Sequence, residues 1–348
     1  MSNPSQIPQD PQVYHARDFL LESGVEVPDL KLAYKTYGTL APAKDNAVLI
    51  TSWCSANHVH NEWFIGPGRH LNSDEYFIIS INLLGNGLSS SPSNTAPPFD
   101  RGRFPPVTIL DNVRLQKKMV DDRWGIGRFA LVFGRSMGGQ IAFQWASYFP
   151  DRVASMLAMT SAAKTSPHTY IFLEGIMSAI RMDPAWKEGE YVRQPEAGLR
   201  MLGRLYAAWS MSQTYYRQGL HKQEVADAKT LEDYLIKRWD RNFFRCDAND
   251  LLSQFKTWQC FDISANEKYR GSLEDALGAI SARAIVMPGQ TDLYFPVEDS
   301  AMVVSHMPSA ELRVIESVWG HRAGAPGSPE EDTQAVKQAI RDCLDGER

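Results

Sequence analysis

Leu131-Val132-Phe133-Gly134-Arg135-Ser136-Met137-Gly138-Gly139 ends an apolar run in a serine flanked by glycines, and Ile141 to Ala146 continues it with helical character. A serine hydroxyl attacks a carbonyl only when a positioned base removes its proton, so this pattern points to acyl transfer through a covalent serine intermediate. The glycines have a mechanical role. A turn this tight leaves no room for side chains and holds the nucleophile in a strained conformation above the sheet. By composition alone, some serine in a chain of this length gains both glycines roughly one time in ten. The preceding strand, the following helix and the extra Gly139 make the motif more specific than that.

A serine of this kind needs an acid and a base downstream, in that order. Gly289-Gln290-Thr291-Asp292 follows the apolar run Ile285-Val286-Met287, which makes Asp292 the acid. The competing reading is that Asp292 only caps a turn. Asp299, the nearest alternative acid, falls inside the next helix. Ile315-Glu316-Ser317-Val318-Trp319-Gly320-His321 then supplies His321 in the loop after one more strand, whereas His306 is expected within a helix. Asp292 would fix the tautomer of His321, and His321 would take the proton from Ser136. An imidazole titrates near neutrality and can serve as base and then as acid.

The developing oxyanion needs two N–H donors. One comes from Met137, directly after the nucleophile; the other comes from the loop after strand 47–51, where Trp53 and Cys54 are both eligible. His58 and His60 form an H-x-H pair, but Asn61 and Glu62 stand where a binuclear metal site would continue, so this segment reads as a polar loop. No Walker loop and no G-x-G-x-x-G follows any strand. No metal and no bound cofactor is expected.

These residues require a scaffold of alternating strands and helices. Strand-like runs occur around Phe19–Tyr34 as an antiparallel entry, then at 47–52, 77–82, 131–133, 153–159, 282–287 and 312–315. Helical patterns follow Thr108, a plausible N-cap, and fall at 137–149, 299–307 and 333–344. Stretch 89–106, rich in Ser, Pro and Asn, reads as a long loop. Alternation of this kind implies parallel βαβ units in a doubly wound, mostly parallel sheet: the α/β-hydrolase fold, of class α/β. Residues 165–278 contain no convincing strand and many aromatics at helical spacing, which reads as a helical lid inserted over the ligand-binding end of the sheet. The expected organisation is one domain over 14–348, with core segments 14–164 and 279–348 and lid 165–278.

At 348 residues with 43% hydrophobic content, the chain can bury a large core. A net charge of −5 without a basic block excludes nucleic acid and anionic membrane surfaces as expected partners. Cys54, Cys246, Cys260 and Cys343 are widely spaced and read as reduced thiols of a cytoplasmic protein. Met1 to Pro11 is polar and proline-rich, a loose leader rather than a signal peptide, and no apolar stretch is long enough to span a membrane.

Four segments carry a family resemblance: Phe64-Ile65-Gly66-Pro67-Gly68, Tyr76 to Gly85, Pro106-Val107-Thr108-Ile109-Leu110-Asp111, and Ser136-Met137-Gly138-Gly139. Together they resemble the homoserine O-acetyltransferases, over about Leu32 to Val153 and again from Met287 to His321. The resemblance implies a helical lid that commonly forms a homodimer, and a ping-pong mechanism through an acyl-serine. It matches Ser136, Asp292 and His321 to the catalytic triad, and Cys54 to the position whose amide joins that of Met137 in the oxyanion hole.

The departures from the family bear on the acyl acceptor. The family's lid carries an Arg and a Tyr seven residues apart; here those positions fall on Gly203 and Ser210, or on Arg204 and Met211. Arg322 replaces the Asp that follows the catalytic His, and Arg135 replaces the Gly that usually precedes the nucleophile. A zwitterionic acceptor needs a cation for its carboxylate and an anion for its ammonium. Homoserine therefore fits poorly, and the expected activity is hydrolysis of a carboxylic ester or thioester. The alternatives are transfer from acyl-CoA to another hydroxyl, with acyl-CoA as co-substrate, and a non-catalytic binding module of the same fold. Trp53, Arg135, Arg204, Trp209, Ser210 and Arg322 are the expected pocket residues.

Overall fold

The structure, a computed structural model, describes residues 11–345. Apart from Pro11, the leader segment lies outside the described residues. Eight strands form one sheet in the order β1-β2-β4-β3-β5-β6-β7-β8: β1 Gln12–Leu20, β2 Glu26–Tyr37, β3 Ala47–Thr51, β4 Phe77–Ile81, β5 Phe129–Arg135, β6 Val153–Met159, β7 Arg283–Met287 and β8 Ala310–Leu312. β1 and β2 pair antiparallel, as does β2 with β4, and every other pairing is parallel. The α/β-hydrolase architecture read from the sequence is the one observed.

The central strands are buried on both faces, which is why they read as continuous apolar runs rather than as alternating patterns. Successive side chains of β5 enter different cores: Leu131 and Phe133 pack in one, Val132 in the other. Helix α1 (Ile109–Arg123) and helix α2 (Met137–Tyr148) belong to the larger core. Thr108 caps α1 as expected, and its own backbone N–H donates to the Asp111 carboxylate, closing a capping box.

Among the described residues, only helices and turns separate β6 from β7 apart from a lone bridge between Lys164 and Asp262. The long members are α3 (Pro167–Arg181), α4 (Glu196–Ser210) and, later, α9 (Ala248–Gln259). Between them come the short α5 (Gln213–Arg217), α6 (His221–Glu224), α7 (Leu231–Tyr234), a π-helical stretch Leu235–Asp240, and α8 (Arg241–Phe244); α10 (Leu273–Gly278) leads back to the sheet. Leu202, Phe243 and Phe255 from these helices share one hydrophobic core with Leu49, Val132 and Met156 of the sheet. The chain then finishes with α11 (Val297–Ser305), β8 and α12 (Glu330–Asp345), and α12 covers the opposite face through Val336, Ala339, Ile340 and Cys343.

Several boundaries differ from the sequence reading: β1 begins at Gln12, well before Phe19, and the helices read at 299–307 and 333–344 lie at Val297–Ser305 and Glu330–Asp345. The last strand lies at Ala310–Leu312 instead of 312–315; Ile315 rejoins the sheet only through a bridge to Gly289. His306 closes α11 as its C-cap and is not within the helix.

Candidate active site

At the end of β5 the chain turns sharply into α2, and Ser136 sits at the turn with φ 55° and ψ −125°. A non-glycine residue held there is strained. The neighbours enforce that conformation: a Cβ on Gly134 would lie 2.0 Å from the backbone of Gly138, and one on Gly139 would lie 2.5 Å from Cβ of Ser161. Ser136 N–H donates to Met159 O at 3.0 Å, and Ser161 Oγ donates to Ser136 O at 2.8 Å. The elbow is thereby tied to β6, and the Oγ is left free to face the loops.

Those loops bring the other two residues to it. Ser136 Oγ lies 3.1 Å from His321 Nε2, and His321 Nδ1 lies 2.8 Å from Asp292 Oδ2. A carboxylate can only accept, so Nδ1–H donates to Asp292, and Nε2 is left to accept the serine proton. The other oxygen of Asp292 accepts from the N–H groups of Tyr294 at 2.8 Å and Phe295 at 3.3 Å, which fixes its orientation. Tyr294 and Phe295 also flank the imidazole, with ring centroids 4.9 and 5.5 Å away. Burial, offset by Asp292 and reinforced by the Arg135 charge, places the pKa of His321 below the usual imidazole value. The ring is therefore neutral, and able to accept a proton, at neutral pH.

Met137 is the first residue of α2 and Cys54 lies in the loop after β3. Neither N–H has a hydrogen-bond acceptor among the described residues. Trp53, Cys54, Ser136 and His321 line one cavity of about 890 Å³, with Arg135, Ser210 and Arg322 also in its wall. That volume suits a small-molecule substrate.

Two expected pocket residues lie elsewhere. Arg204 points to the lid surface, where it pairs with Glu232, and its side chain is 31% exposed. Trp209 packs behind the wall against His168, Phe172 and Tyr294. Helical geometry accounts for Arg204, whereas Trp209 is drawn off the cavity by its packing on Phe172 and Tyr294. Tyr206 and Ser210 stand four residues apart on α4 and share the face that lines the cavity, whereas Arg204 lies two residues before Tyr206 and projects the other way.

Arg322 lines the cavity, but its charge is not free. It pairs with Glu224 of α6, which also accepts from Arg238 Nε at 2.7 Å and from the hydroxyls of Tyr215 and Tyr234 at 2.8 and 3.1 Å. Burial alone would raise the carboxyl pKa of Glu224; Arg322 and then Arg238 hold it down at about 2. The expectation that Arg322 would face a substrate ammonium as an open charge is corrected accordingly: Glu224 neutralises much of it. Sequence reasoning missed Glu224, Arg238 and Tyr206. Glu224 and Arg322 stand 98 positions apart, and no local pattern links them.

His58 and His60 lie in a short 3-10 turn, His58–Asn61, where His58 is buried against Asn82 and His60 faces the cavity. Burial pushes the pKa of His60 down to about 4. Among the described residues, no group of three or more His, Cys, Asp or Glu side chains is placed to hold a metal ion, and no helix is long and apolar enough to cross a membrane.

The α/β-hydrolase fold family model matches residues 48–323. The chain is 35% identical over 304 residues to an ethyl acetate hydrolase of Pseudomonas veronii, with 86% of each chain covered. It is 32% identical over 330 residues to a homoserine O-acetyltransferase of Thermobifida fusca, again with 86% of each covered. The solved structure of an acetylester hydrolase from Corynebacterium glutamicum superposes with a TM-score of 0.92 at 34% identity, covering 97% of this chain and 96% of that one. The chain belongs to the α/β-hydrolase fold family, in the group that is similar to the homoserine O-acetyltransferases.

Proposed function

We propose that this member of the α/β-hydrolase fold family is a serine esterase that releases a short acyl group from a carboxylic ester to water. The observation that carries the reading is the unbroken hydrogen-bonded line from Ser136 Oγ through His321 to Asp292 at the floor of a cavity whose only lining carboxylate, among the described residues, is Glu62. Glu62 is itself held by Lys35 at 2.9 Å. A substrate ammonium group has no free anion to meet there, which favours water over an amino-acid acceptor. The relatives named as ester hydrolases support the same choice.

In this mechanism His321 Nε2 takes the proton of Ser136 while Oγ bonds to the ester carbon. The carbonyl oxygen becomes an oxyanion facing the N–H groups of Cys54 and Met137. As the tetrahedral species collapses, the bond to the alcohol oxygen breaks and His321 returns the proton to it. A water then repeats the sequence: His321 takes its proton, its oxygen bonds to the acyl carbon, and the Ser136 oxygen leaves with the proton as the carboxylic acid departs. No cofactor enters these steps. The exposed Ile171, Met182 and Met201 of the lid helices support assembly as a homodimer through the lid.

The test offers the purified protein ethyl acetate and aryl acetates in water and, separately, acetyl-CoA with and without homoserine, while intact mass reports acyl-Ser136. Ester turnover in water with a transient 42 Da adduct, about the mass of one acetyl group less a proton, is the expected result. Thiol release from acetyl-CoA that depends on homoserine would overturn the hydrolase reading in favour of acyl transfer.

A further inference from the structure

Arg135 is the residue before the nucleophile, 8% exposed, and its side chain lines the same cavity as Ser136. A guanidinium buried this deeply costs several kcal/mol unless an anion compensates it. Arg135 forms no ion pair among the described residues. Its Nη2 donates to His321 O at 2.5 Å and its Cζ lies 5.3 Å from the centroid of the Trp53 ring, but Nε is buried without an acceptor and Nη1 makes no hydrogen bond among the described residues. Burial first, and then the charge of Arg322, press its pKa down to about 9, only partly offset by the Asp292 carboxylate, so it is still a cation at neutral pH.

Three neighbouring cations are ion-paired: Arg322 and Arg238 share Glu224, and Lys35 holds Glu62. Arg69 and Arg245 donate only to uncharged oxygens, as Arg135 does, but both are exposed to solvent. In a chain of net charge −5, six basic side chains line this one cavity against a single carboxylate. Nε is closed off from the cavity, so the donor left for a ligand is Nη1, which makes no hydrogen bond among the described residues and can meet a carboxylate oxygen end-on with charge assistance.

We propose that Arg135 forms an anion subsite beside Ser136 that fixes a carboxylate on the substrate, making the preferred ester an anionic one. The carboxylate belongs either to the acyl part, as in the half-ester of a dicarboxylic acid, or to the alcohol part, as in an acylated hydroxy acid. Arg135 is a specificity residue in this scheme, and the scheme rests on the esterase reading above.

The experiment compares kcat/KM for two matched pairs. Ethyl hydrogen succinate against ethyl succinamate tests an acyl-side carboxylate, and 4-acetoxybutanoate against 4-acetoxybutanamide tests an alcohol-side one. The charged member of one pair should be favoured by about tenfold or more, mainly through KM. Arg135→Gln should bring that ratio close to one, and Arg135→Lys should restore part of it. A wild-type ratio at or below one in both pairs, or a ratio that Arg135→Gln leaves intact, overturns the proposal. Should Arg135→Gln not fold, the wild-type protein still decides: butyrate should compete with a neutral ester at least tenfold better than butyramide, and equal inhibition counts against the subsite. Turnover of neutral esters without any charge preference removes the subsite and leaves the esterase reading standing. If no ester is turned over at all, the esterase reading fails, and binding of butyrate followed through Trp fluorescence tests the subsite by itself.

Discussion

At the cavity floor, Asp292 accepts three hydrogen bonds and both ring nitrogens of His321 have partners; on the adjacent wall, Arg135 carries a buried charge that forms no ion pair among the described residues and is only partly offset by Asp292 through space. The first arrangement is complete before substrate arrives. In the proposed scheme the second is completed by a substrate anion, so that the floor carries out the reaction and the wall selects the ester. The two regions meet at His321, whose side chain belongs to the floor and whose carbonyl holds Arg135.

The largest effect that would break this division is at the floor. Ser136→Ala should lower ester turnover by about 10⁴-fold or more for every substrate, charged or neutral, because the acyl-enzyme can no longer form. Steady-state kinetics check this, and near-normal turnover would remove Ser136 from the mechanism.

Glu224→Gln probes the wall from behind. It deprives Arg322 and Arg238 of their shared partner and should cost roughly 2–4 kcal/mol in urea unfolding, somewhat less than a fully buried pair because the Glu224 side chain is 13% exposed. The sign with pH follows from a carboxyl held at about 2 in the folded protein. Its stabilisation is present above its ordinary pKa near 4.5 and is lost as pH falls through about 2, so wild type and variant should converge in strong acid. A constant gap across that range would mean that Glu224 does not hold the cluster by charge.

A smaller effect links the two regions. The neutral form of His321 is the active one, so kcat/KM should rise with pH through a midpoint below 6.5, the ordinary imidazole value from which burial first displaces it. Arg135 contributes to that lowering, and Arg135→Gln should move the midpoint upward. An unmoved midpoint would separate wall from floor electrostatically. The smallest effect on catalysis is Arg204→Ala, which should leave turnover and selectivity unchanged and lower the urea midpoint slightly, since its pair with Glu232 is on the surface but it also faces the buried Asp240 carboxylate; a change in selectivity would return Arg204 to the pocket.

Much of the fold was legible because its determinants are local. The apolar runs of β3, β5, β6 and β7, the Thr108 cap and the glycines around Ser136 act over a few residues. The short edge strand β8 was placed slightly late, because a strand of three residues, none of them buried, carries little pattern. The lid was legible as helical but not as a surface. Ser210 was identified on α4 while its partner on the same face, Tyr206, was read only as part of an aromatic stripe, and the i, i+4 spacing of the two is the signal that would have joined them.

The sequence by itself determined the residues of the proposed chemistry: a serine forced into a strained turn by glycines, and an acid and a base placed after successive strands in the order the fold requires. Only the tertiary structure decided the electrostatics of the cavity. Whether Arg135 and Arg322 are free cations depends on where Glu224 arrives from a lid helix 98 positions before Arg322. Charge interactions act through space and depend on burial, so residues remote in the chain decide them, whereas a backbone turn is set by its own few residues.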